Sequence, residues 1–262
     1  NHMMAIARFK GRTYFGSFDQ GLCSTHDGHD FVAHAGPFRM INDLEVTPKA
    51  MYVAAAEGLF MTTNGTSCKR IEFVSPRGVN GLAFDGRSLW VTTPGALWRV
   101  RVQGGPRNRE WWRPGGSRSL QAVSVAGRNV WIATEDRGLV RKRRRDFQVV
   151  DRAAGMPSSW TLDVAVAANG TAYGATLRDG IVAVDRRGKV KRVSGSPDQW
   201  TLFVGLHGRT LHVGSQGGAA LIRGKAVDSS FSLPHPNVHA LANIGSALYV
   251  ATEGGTLLTS RN

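Results

Sequence analysis

The stretch "VWIAT", residues 130–134, is one of seven short hydrophobic runs that recur along the chain. Each run has an aromatic residue or a histidine at its second position. The runs are "TYFGS" (13–17), "MYVAA" (51–55), "LWVTT" (89–93), "VWIAT" (130–134), "AYGAT" (172–176), "LHVGS" (211–215) and "LYVAT" (248–252). Their second residues are 38, 38, 41, 42, 39 and 37 positions apart, and a nearly constant period of this size indicates a repeat architecture.

An alternating segment precedes each run, and a glycine follows it five to seven residues after the second position. Each repeat therefore predicts a strand, a tight turn, a second strand, a glycine turn, a third strand and usually a fourth. Such a unit cannot bury both of its faces alone, and radial stacking around a channel covers them. The sequence predicts an all-β, seven-bladed β-propeller that forms one domain over residues 5–262. The second residues of the seven runs, which we call the aromatic column, are expected to pack between blades.

The two ends of the chain differ in the predicted number of strands. Residues 1–4, "NHMM", are interpreted as a cloning scar and native start, and "AIARFKGR" behind them lacks the features of a signal peptide. No apolar stretch reaches the roughly 18 residues of a membrane span, and a cytoplasmic protein is favoured. Four strands fit within residues 5–36, whereas the last repeat ends after three. We expect its exposed edge to be paired by a symmetry mate or by a strand of a protein partner, with Arg261 discouraging uncontrolled stacking; the alternative is a tolerated three-stranded blade.

Two kinds of repeat resemble known propeller families. Residues 155–193, "GMPSSWTLDVAVAANGTAYGATLRDGIVAVDRRGKVKRV", and 233–260, "LPHPNVHALANIGSALYVATEGGTLLTS", resemble the propeller repeats of two-component-regulator sensor proteins. The segments "STHDGHDF" (24–31) and "TTNGTSCKRI" (62–71) are similar to degenerate Asp-box hairpins of the BNR type. The resemblance implies a propeller with a sensor-like binding role, but it specifies the architecture far more strongly than the activity.

The net charge of +14 is concentrated in the middle repeats. Residues 97–118, 137–152 and 186–192 hold eighteen of the 33 lysines and arginines, on predicted third strands, fourth strands and the hairpins between them. These positions fall on the outer rim and on one face of the disc, where they would attract polyanions. The residues of this predicted basic face are Arg141, Lys142, Arg143, Arg144, Arg145, Arg186, Arg187, Lys189, Lys191 and Arg192.

The hairpins between second and third strands should open on the opposite face, and five of them carry carboxylates. Trp160 and Trp200 precede first strands in the similar contexts "WTLDV" and "WTLFV", which places them near the same mouth of the channel. Large amphipathic side chains of this kind often anchor interfaces. The predicted recognition patch at this acidic mouth comprises Asp19, Glu57, Glu135, Asp136, Arg137, Trp160, Asp163, Arg178, Asp179, Trp200 and Glu253.

These patterns favour a binding or scaffold propeller that recognises a protein or peptide, or else a small ligand, without catalysis. No nucleophile elbow, phosphate loop or Cys-His pair is present in the sequence. The "HDGHD" turn (26–30) contains metal-ligand residue types, but an Asp beside a Gly usually bonds the backbone of its own hairpin, so no metal and no cofactor are predicted.

Two alternative functions remain. One is a nucleic-acid-associated module using the basic face, although no aromatic residue for stacking is evident near residues 141–145; the other is a propeller enzyme of lyase or hydrolase type.

Overall fold

The structure is a computed structural model that describes residues 2–72, 74, 78–102, 109–229 and 231–260, with the side chains of residues 257–260 left out. It contains seven antiparallel sheets, and the strands of each sheet are hydrogen-bonded in chain order. Six sheets have four strands and the last has three. The predicted seven-bladed, all-β propeller is therefore confirmed.

The strands are numbered along the chain. Blades 1 and 2 contain β1 Met3–Phe9, β2 Arg12–Ser17, β3 Leu22–Thr25, β4 Phe31–His34, β5 Ile41–Val46, β6 Met51–Ala55, β7 Gly58–Thr62 and β8 Lys69–Arg70. Blades 3 and 4 contain β9 Gly81–Phe84, β10 Ser88–Thr93, β11 Ala96–Arg101, β12 Arg109–Trp112, β13 Leu120–Ala126, β14 Asn129–Thr134, β15 Leu139–Lys142 and β16 Phe147–Val150. Blades 5, 6 and 7 contain β17 Thr161–Val166, β18 Ala172–Thr176, β19 Gly180–Val184, β20 Val190–Val193, β21 Thr201–His207, β22 Thr210–Ser215, β23 Gly218–Arg223, β24 Ala226–Asp228, β25 Val238–Ile244, β26 Ala247–Thr252 and β27 Gly255–Ser260. Short 3₁₀ turns lie at Pro114–Gly116 and Arg152–Ala154. Among the described residues, no helix has the length and hydrophobicity needed to cross a lipid bilayer.

The hydrophobic core is divided among the junctions between neighbouring blades. Each junction holds a separate cluster of buried side chains, and six of the seven residues of the aromatic column belong to these clusters or pack against them. The seventh, His212, is buried as well. Trp131 is fully buried between blades 4 and 5. Tyr173 departs from the prediction, because it stays half-buried while packing on the cluster between blades 5 and 6. A tyrosine can keep its hydroxyl in water while its ring packs, which accounts for the difference.

The ring closes by packing of blade 1 on blade 7. Strand β1 contacts β25 and β26, and the rings of Phe15 and Tyr249 lie 5.7 Å apart across this junction. Strand β27 pairs with β26 along one edge, and no strand of the described chain pairs with its other edge. The last blade is thus three-stranded, as predicted, whereas the expectation for Arg261 lies outside the described residues.

Candidate recognition rim and basic face

One face of the disc is built from the hairpins that join second and third strands and from the segments that lead into first strands. The Leu177 N–H of blade 5 donates to the Trp160 carbonyl of its own lead-in segment (3.1 Å). The Gly180 N–H of the same hairpin donates to the Gln199 carbonyl of the next blade (2.8 Å). This hairpin is therefore held between two lead-in segments, and the corresponding hairpins of blades 1 and 4 are held in the same way. We call this face the recognition rim.

Trp160, Arg178 and Trp200 lie in three adjoining loops of the recognition rim. Trp160 is 43% exposed, which is unusual for a large aromatic side chain. The Arg178 guanidinium carbon lies 4.9 Å from the centroid of the Trp200 ring, in the range of a cation–π contact. Arg178 has a φ of +79°, a left-handed conformation that costs a non-glycine residue free energy and is often found at functional sites.

Hydrogen bonds within the rim hold most of the predicted carboxylates. Glu57 accepts from the Arg39 N–H at 3.1 Å, and Glu135 accepts from the Gln121 side chain at 2.7 Å. Hydrogen bonds from Ser17 and Gln20 lower the pKa of Asp19. The remaining pairs are Asp136 with Ser117 and Arg118, Asp179 with Arg192, and Glu253 with His2 and His239. These carboxylates fix the loops of the rim.

The charge of the rim is mixed rather than uniformly acidic. Exposed arginines lie in the same loops as the carboxylates, notably Arg39, Arg118, Arg137 and Arg178. Arg137 and Arg178 lie in the hairpins, whereas Arg39 and Arg118 lie in the lead-in segments, which the sequence pattern did not assign to this face. A mouth ringed by uncompensated negative charge is therefore the wrong description of this face.

Asp163 lies in the central channel instead of on the rim. A β-bulge displaces the start of β17, and the Asp163 carboxylate accepts hydrogen bonds from the N–H groups of Val164 (2.7 Å) and Val204 (2.9 Å). It thereby ties the first strand of blade 5 to that of blade 6. Burial raises the pKa of Asp163 to about 6.

Sequence reasoning missed two further carboxyls of the channel region. Asp43 occupies the equivalent bulge of blade 2 and binds the N–H groups of Leu44 (2.7 Å) and Leu82 (2.8 Å). Burial, with a smaller contribution from the charge of Asp163, raises the pKa of Asp43 to about 7. Burial and then the neighbouring Asp43 raise the pKa of Glu45 to about 8. The shared repeat position of Asp43 and Asp163 is the signal that could have located the pair.

These three carboxyls predict a stability that falls as the pH rises. Their folded-state pKa values lie above the roughly 4 of unfolded Asp and Glu, so the folded state binds more protons between about pH 4 and pH 8, and the free energy of unfolding decreases across that window. Urea unfolding across this range should show a weaker decrease for the double variant Asp43→Asn, Glu45→Gln than for the parent. The exposed-site variant Asp30→Asn is the control, and parallel curves for parent and double variant would contradict the assignment.

Arg141 and Lys142, predicted for the basic face, are partly structural. Arg141 donates to Asn129 Oδ1 (2.7 Å) and to the Arg186 carbonyl (3.0 Å), which joins blades 4 and 5. The Lys142 ammonium lies 4.9 Å from the Trp112 ring centroid. Trp112 of blade 3 thus lies near residues 141–145, a contact that the sequence did not indicate, and its ring is occupied by Lys142.

The other predicted basic residues divide between two locations. The tip of the β15–β16 hairpin and the tip of the β19–β20 hairpin carry Arg143, Arg144, Arg145, Arg186, Arg187 and Lys189. Lys191 is exposed on the outer strand β20. Arg192 on the same strand pairs with Asp179 at 3.2 Å, so it lies beside the recognition rim and away from the rest of the basic face.

The "HDGHD" turn uses its first aspartate within the hairpin. Asp27 Oδ1 accepts hydrogen bonds from the Thr25 hydroxyl (3.0 Å) and from the N–H groups of His29 (2.9 Å) and Asp30 (3.0 Å). The two backbone hydrogen bonds are the main reason that the pKa of Asp27 is lowered. Asn64 makes the same pattern of contacts in blade 2, which agrees with the Asp-box interpretation of both turns.

Within the described residues, one group has the geometry of a metal site. His2 Nε2 and His239 Nε2 lie 3.0 Å apart, and Glu253 Oε1 lies 3.4 Å and 3.5 Å from them. His2, however, belongs to the segment interpreted as a cloning scar. Without it, His239 and Glu253 supply fewer than the three protein ligands of a typical zinc site. His235 does not complete the set, because its Nδ1 accepts the Asn237 N–H (3.2 Å), which leaves the proton on Nε2.

Comparisons with known proteins show the fold of this chain. No model of a known protein family matches it, and no curated protein matches it. It is similar to the extracellular domain of a protein described as the hybrid two component system BT4673 of B. thetaiotaomicron, with 15% identity and a TM-score of 0.81 over 100% of this chain and 38% of that chain. The corresponding domain of BT3049 gives 13% identity and a TM-score of 0.79 over 98% and 40%. The WD40 propeller domain of Doa1 gives 11% identity and a TM-score of 0.76 over 100% and 93%.

The chain spans less than half the length of the two bacterial proteins. At these identities, the similarity establishes a seven-bladed propeller and leaves activity open. Both bacterial neighbours are extracellular domains, so they give no support to a cytoplasmic location, which stays a prediction.

Proposed function

We propose that this chain is a non-enzymatic binding propeller that recognises a protein or peptide partner through the recognition rim of blades 5 and 6. The observation that carries the proposal is an exposed Trp160 in the loop that hydrogen-bonds the Arg178 hairpin, together with Arg178 itself, which has a left-handed backbone and lies over Trp200. Tryptophan and arginine are the side chains most often found at the energetic centre of interfaces. The left-handed backbone of Arg178 and its contact with Trp200 hold the side chain in one place, which suits a residue positioned for binding.

The chemistry of these residues defines the kind of segment that would bind. The Trp160 ring offers a flat apolar surface, and the Arg178 guanidinium offers donors that match a carboxylate. The best partner segment therefore carries an apolar side chain next to an acidic residue or a terminal carboxylate. The net charge of +14 would accelerate the approach of such an acidic partner.

A non-catalytic role agrees with how the rim carboxylates are used. Glu57, Glu135 and Asp136 are engaged by backbone and side-chain donors of adjacent loops, which suits them to fix loop shape. Catalytic carboxyls instead need a free face toward a substrate. The channel carboxyls Asp43 and Asp163, whose pKa values are raised, each accept two backbone N–H hydrogen bonds, which suits them to join neighbouring blades. The sensor-type propeller domains among the similar structures are consistent with binding, and they supply no further detail.

The rim is tested with peptides selected for binding to the chain from a random displayed library, without reference to any surface. We expect Trp160→Ala and Arg178→Asn each to weaken binding about tenfold or more, as for central interface residues. Asparagine tolerates the left-handed backbone, so this change removes the guanidinium and most of the aliphatic stem without adding backbone strain. The control is Trp111→Ala, which removes a 54% exposed tryptophan from the outer strand of blade 3. Unchanged affinity in both rim variants would refute the proposal.

The outer edge of β27 offers the partner a second contact. Its backbone N–H and C=O groups on that side have no strand partner in the described chain, and an edge of this kind accepts an added strand. In a complex that uses this edge, amide hydrogen exchange of residues 256–260 should slow markedly. Exchange that stays unchanged there on binding would restrict recognition to the rim.

A further inference from the structure

A second surface lies on the face opposite the recognition rim, independent of Trp160 and Arg178. Two adjoining grooves run between blades 2 and 3 and between blades 3 and 4, with cavity volumes of about 430 and 490 Å³. Arg99 lines both grooves, so their charges form one continuous strip. We call this strip the basic band; its cationic residues are Lys49, Arg87, Arg99, Arg101, Arg128, Arg141, Lys142, Arg143 and Arg144.

The positive charge of the basic band is only partly neutralised. Asp85 is already engaged, because it accepts hydrogen bonds from the N–H groups of Arg87 (2.9 Å) and Ser88 (2.7 Å) and from Trp90 Nε1 (2.9 Å). Glu110 is the one further carboxylate in the described lining of the grooves. Nine cations therefore face two carboxylates, which is the composition of a site for anions.

The arrangement of these cations favours an extended ligand. They follow the two grooves instead of surrounding one point, so a single phosphate would meet a small part of them. A chain of regularly spaced phosphates would neutralise several cations at once, and the binding free energy would accumulate with each contact. We propose that the basic band binds the phosphodiester backbone of nucleic acid.

The aromatic rings of the groove argue against recognition of the bases. Trp112 stacks on Trp90 with ring centroids 5.9 Å apart, and Lys142 lies over a Trp112 ring at 4.9 Å. Trp90 is buried and also lies under the Arg99 guanidinium at 5.2 Å. Because protein groups already cover these rings, no open stacking platform is left for a base, and binding is independent of sequence.

The hairpins of the band do not suit a membrane surface. A peripheral membrane site usually adds apolar side chains that enter the lipid. The exposed large hydrophobic side chains of the described chain lie on other parts of the molecule, and none lines the two grooves: they are Phe18, Phe31, Val32, Trp111, Trp160 and Val227. The tip of the β15–β16 hairpin carries arginines and Asp146.

The test is fluorescence anisotropy of a labelled DNA duplex of about 20 base pairs, titrated with the whole chain between about 50 and 200 mM salt. We expect the double variant Arg143→Glu, Arg144→Glu to bind about tenfold or more weakly, and the slope of log K against log salt to fall by about two. Arg128→Glu, in the β13–β14 hairpin that lines the same groove, should weaken binding as well. A second duplex of unrelated sequence should bind the parent chain equally.

The matched control is Arg223→Glu, Lys225→Glu, which places the same charge change in the exposed third-to-fourth-strand hairpin of blade 6. Equal losses in the control and in the band variant would mean that the net charge alone attracts DNA, and would overturn the proposal. So would a parent chain that binds phosphatidylserine vesicles and not the duplex, or one that strongly prefers one duplex sequence. Retained peptide binding in the band variants would show that the fold is intact and that the rim is a separate site.

Discussion

Replacing Trp131 with alanine is expected to lower the free energy of unfolding by about 3 to 5 kcal/mol, as for other fully buried aromatic residues. Trp131 has no exposed surface and packs with Leu139, Val164 and Val182 in the junction between blades 4 and 5. The substitution leaves a cavity that rigid strands on both sides cannot close. Equilibrium unfolding in urea, followed by circular dichroism, measures the loss.

Trp111→Ala provides the control for this measurement. Trp111 is 54% exposed on β12, so the same change of residue should cost much less. A loss below about 1 kcal/mol for Trp131→Ala would contradict its place in the core, because surface substitutions fall in that range.

Gly138→Ala is the second substitution with a large expected effect, a loss of about 2 to 4 kcal/mol, because left-handed strain and overpacking add together. Gly138 has a φ of +64°, and a Cβ built on it would lie 2.6 Å from the Val150 carbonyl oxygen. That oxygen belongs to the backbone of β16 and cannot move aside cheaply. Thermal and urea unfolding of the purified variant give the value.

Gly127→Ala separates the two contributions. Gly127 has nearly the same φ, +60°, but a Cβ there would meet no atom within 4 Å. Its loss should therefore reflect backbone strain alone, about 1 to 2 kcal/mol. Equal losses of unfolding free energy in the two variants would show that the Gly138 hairpin does not lie close to β16.

The fold could be predicted from the sequence because each blade repeats the same local signals. An aromatic residue such as Trp131 and a turn glycine such as Gly138 recur at fixed positions, and a period-2 alternation joins them. Repetition fixes the number of blades even where one signal is weak, as with His212 in the aromatic column. It also placed Trp160 and Trp200 correctly relative to each other, since both precede first strands.

The sites were harder to predict because they depend on contacts between repeats. Asp163 was expected on the rim, but the bulge at the start of its strand places it in the channel. Lys142 meets Trp112 across a blade junction. Arg192 pairs with Asp179 within blade 5, where the length of the arginine side chain brings it to the rim. The position of a hairpin within its repeat predicts the face of the disc on which it lies. It does not predict the partner of a side chain, because that depends on the length and direction of the side chain.

The most direct test of recognition at the rim is amide hydrogen exchange of the chain with and without a peptide selected for binding to it. The account predicts slower exchange in the three loops that surround Trp160, Arg178 and Trp200, at residues 158–162, 177–180 and 199–202. The β15–β16 hairpin of the basic band, residues 140–147, should keep its exchange rates. Slowing that is confined to residues 140–147, with no change in the three loops, would contradict the account.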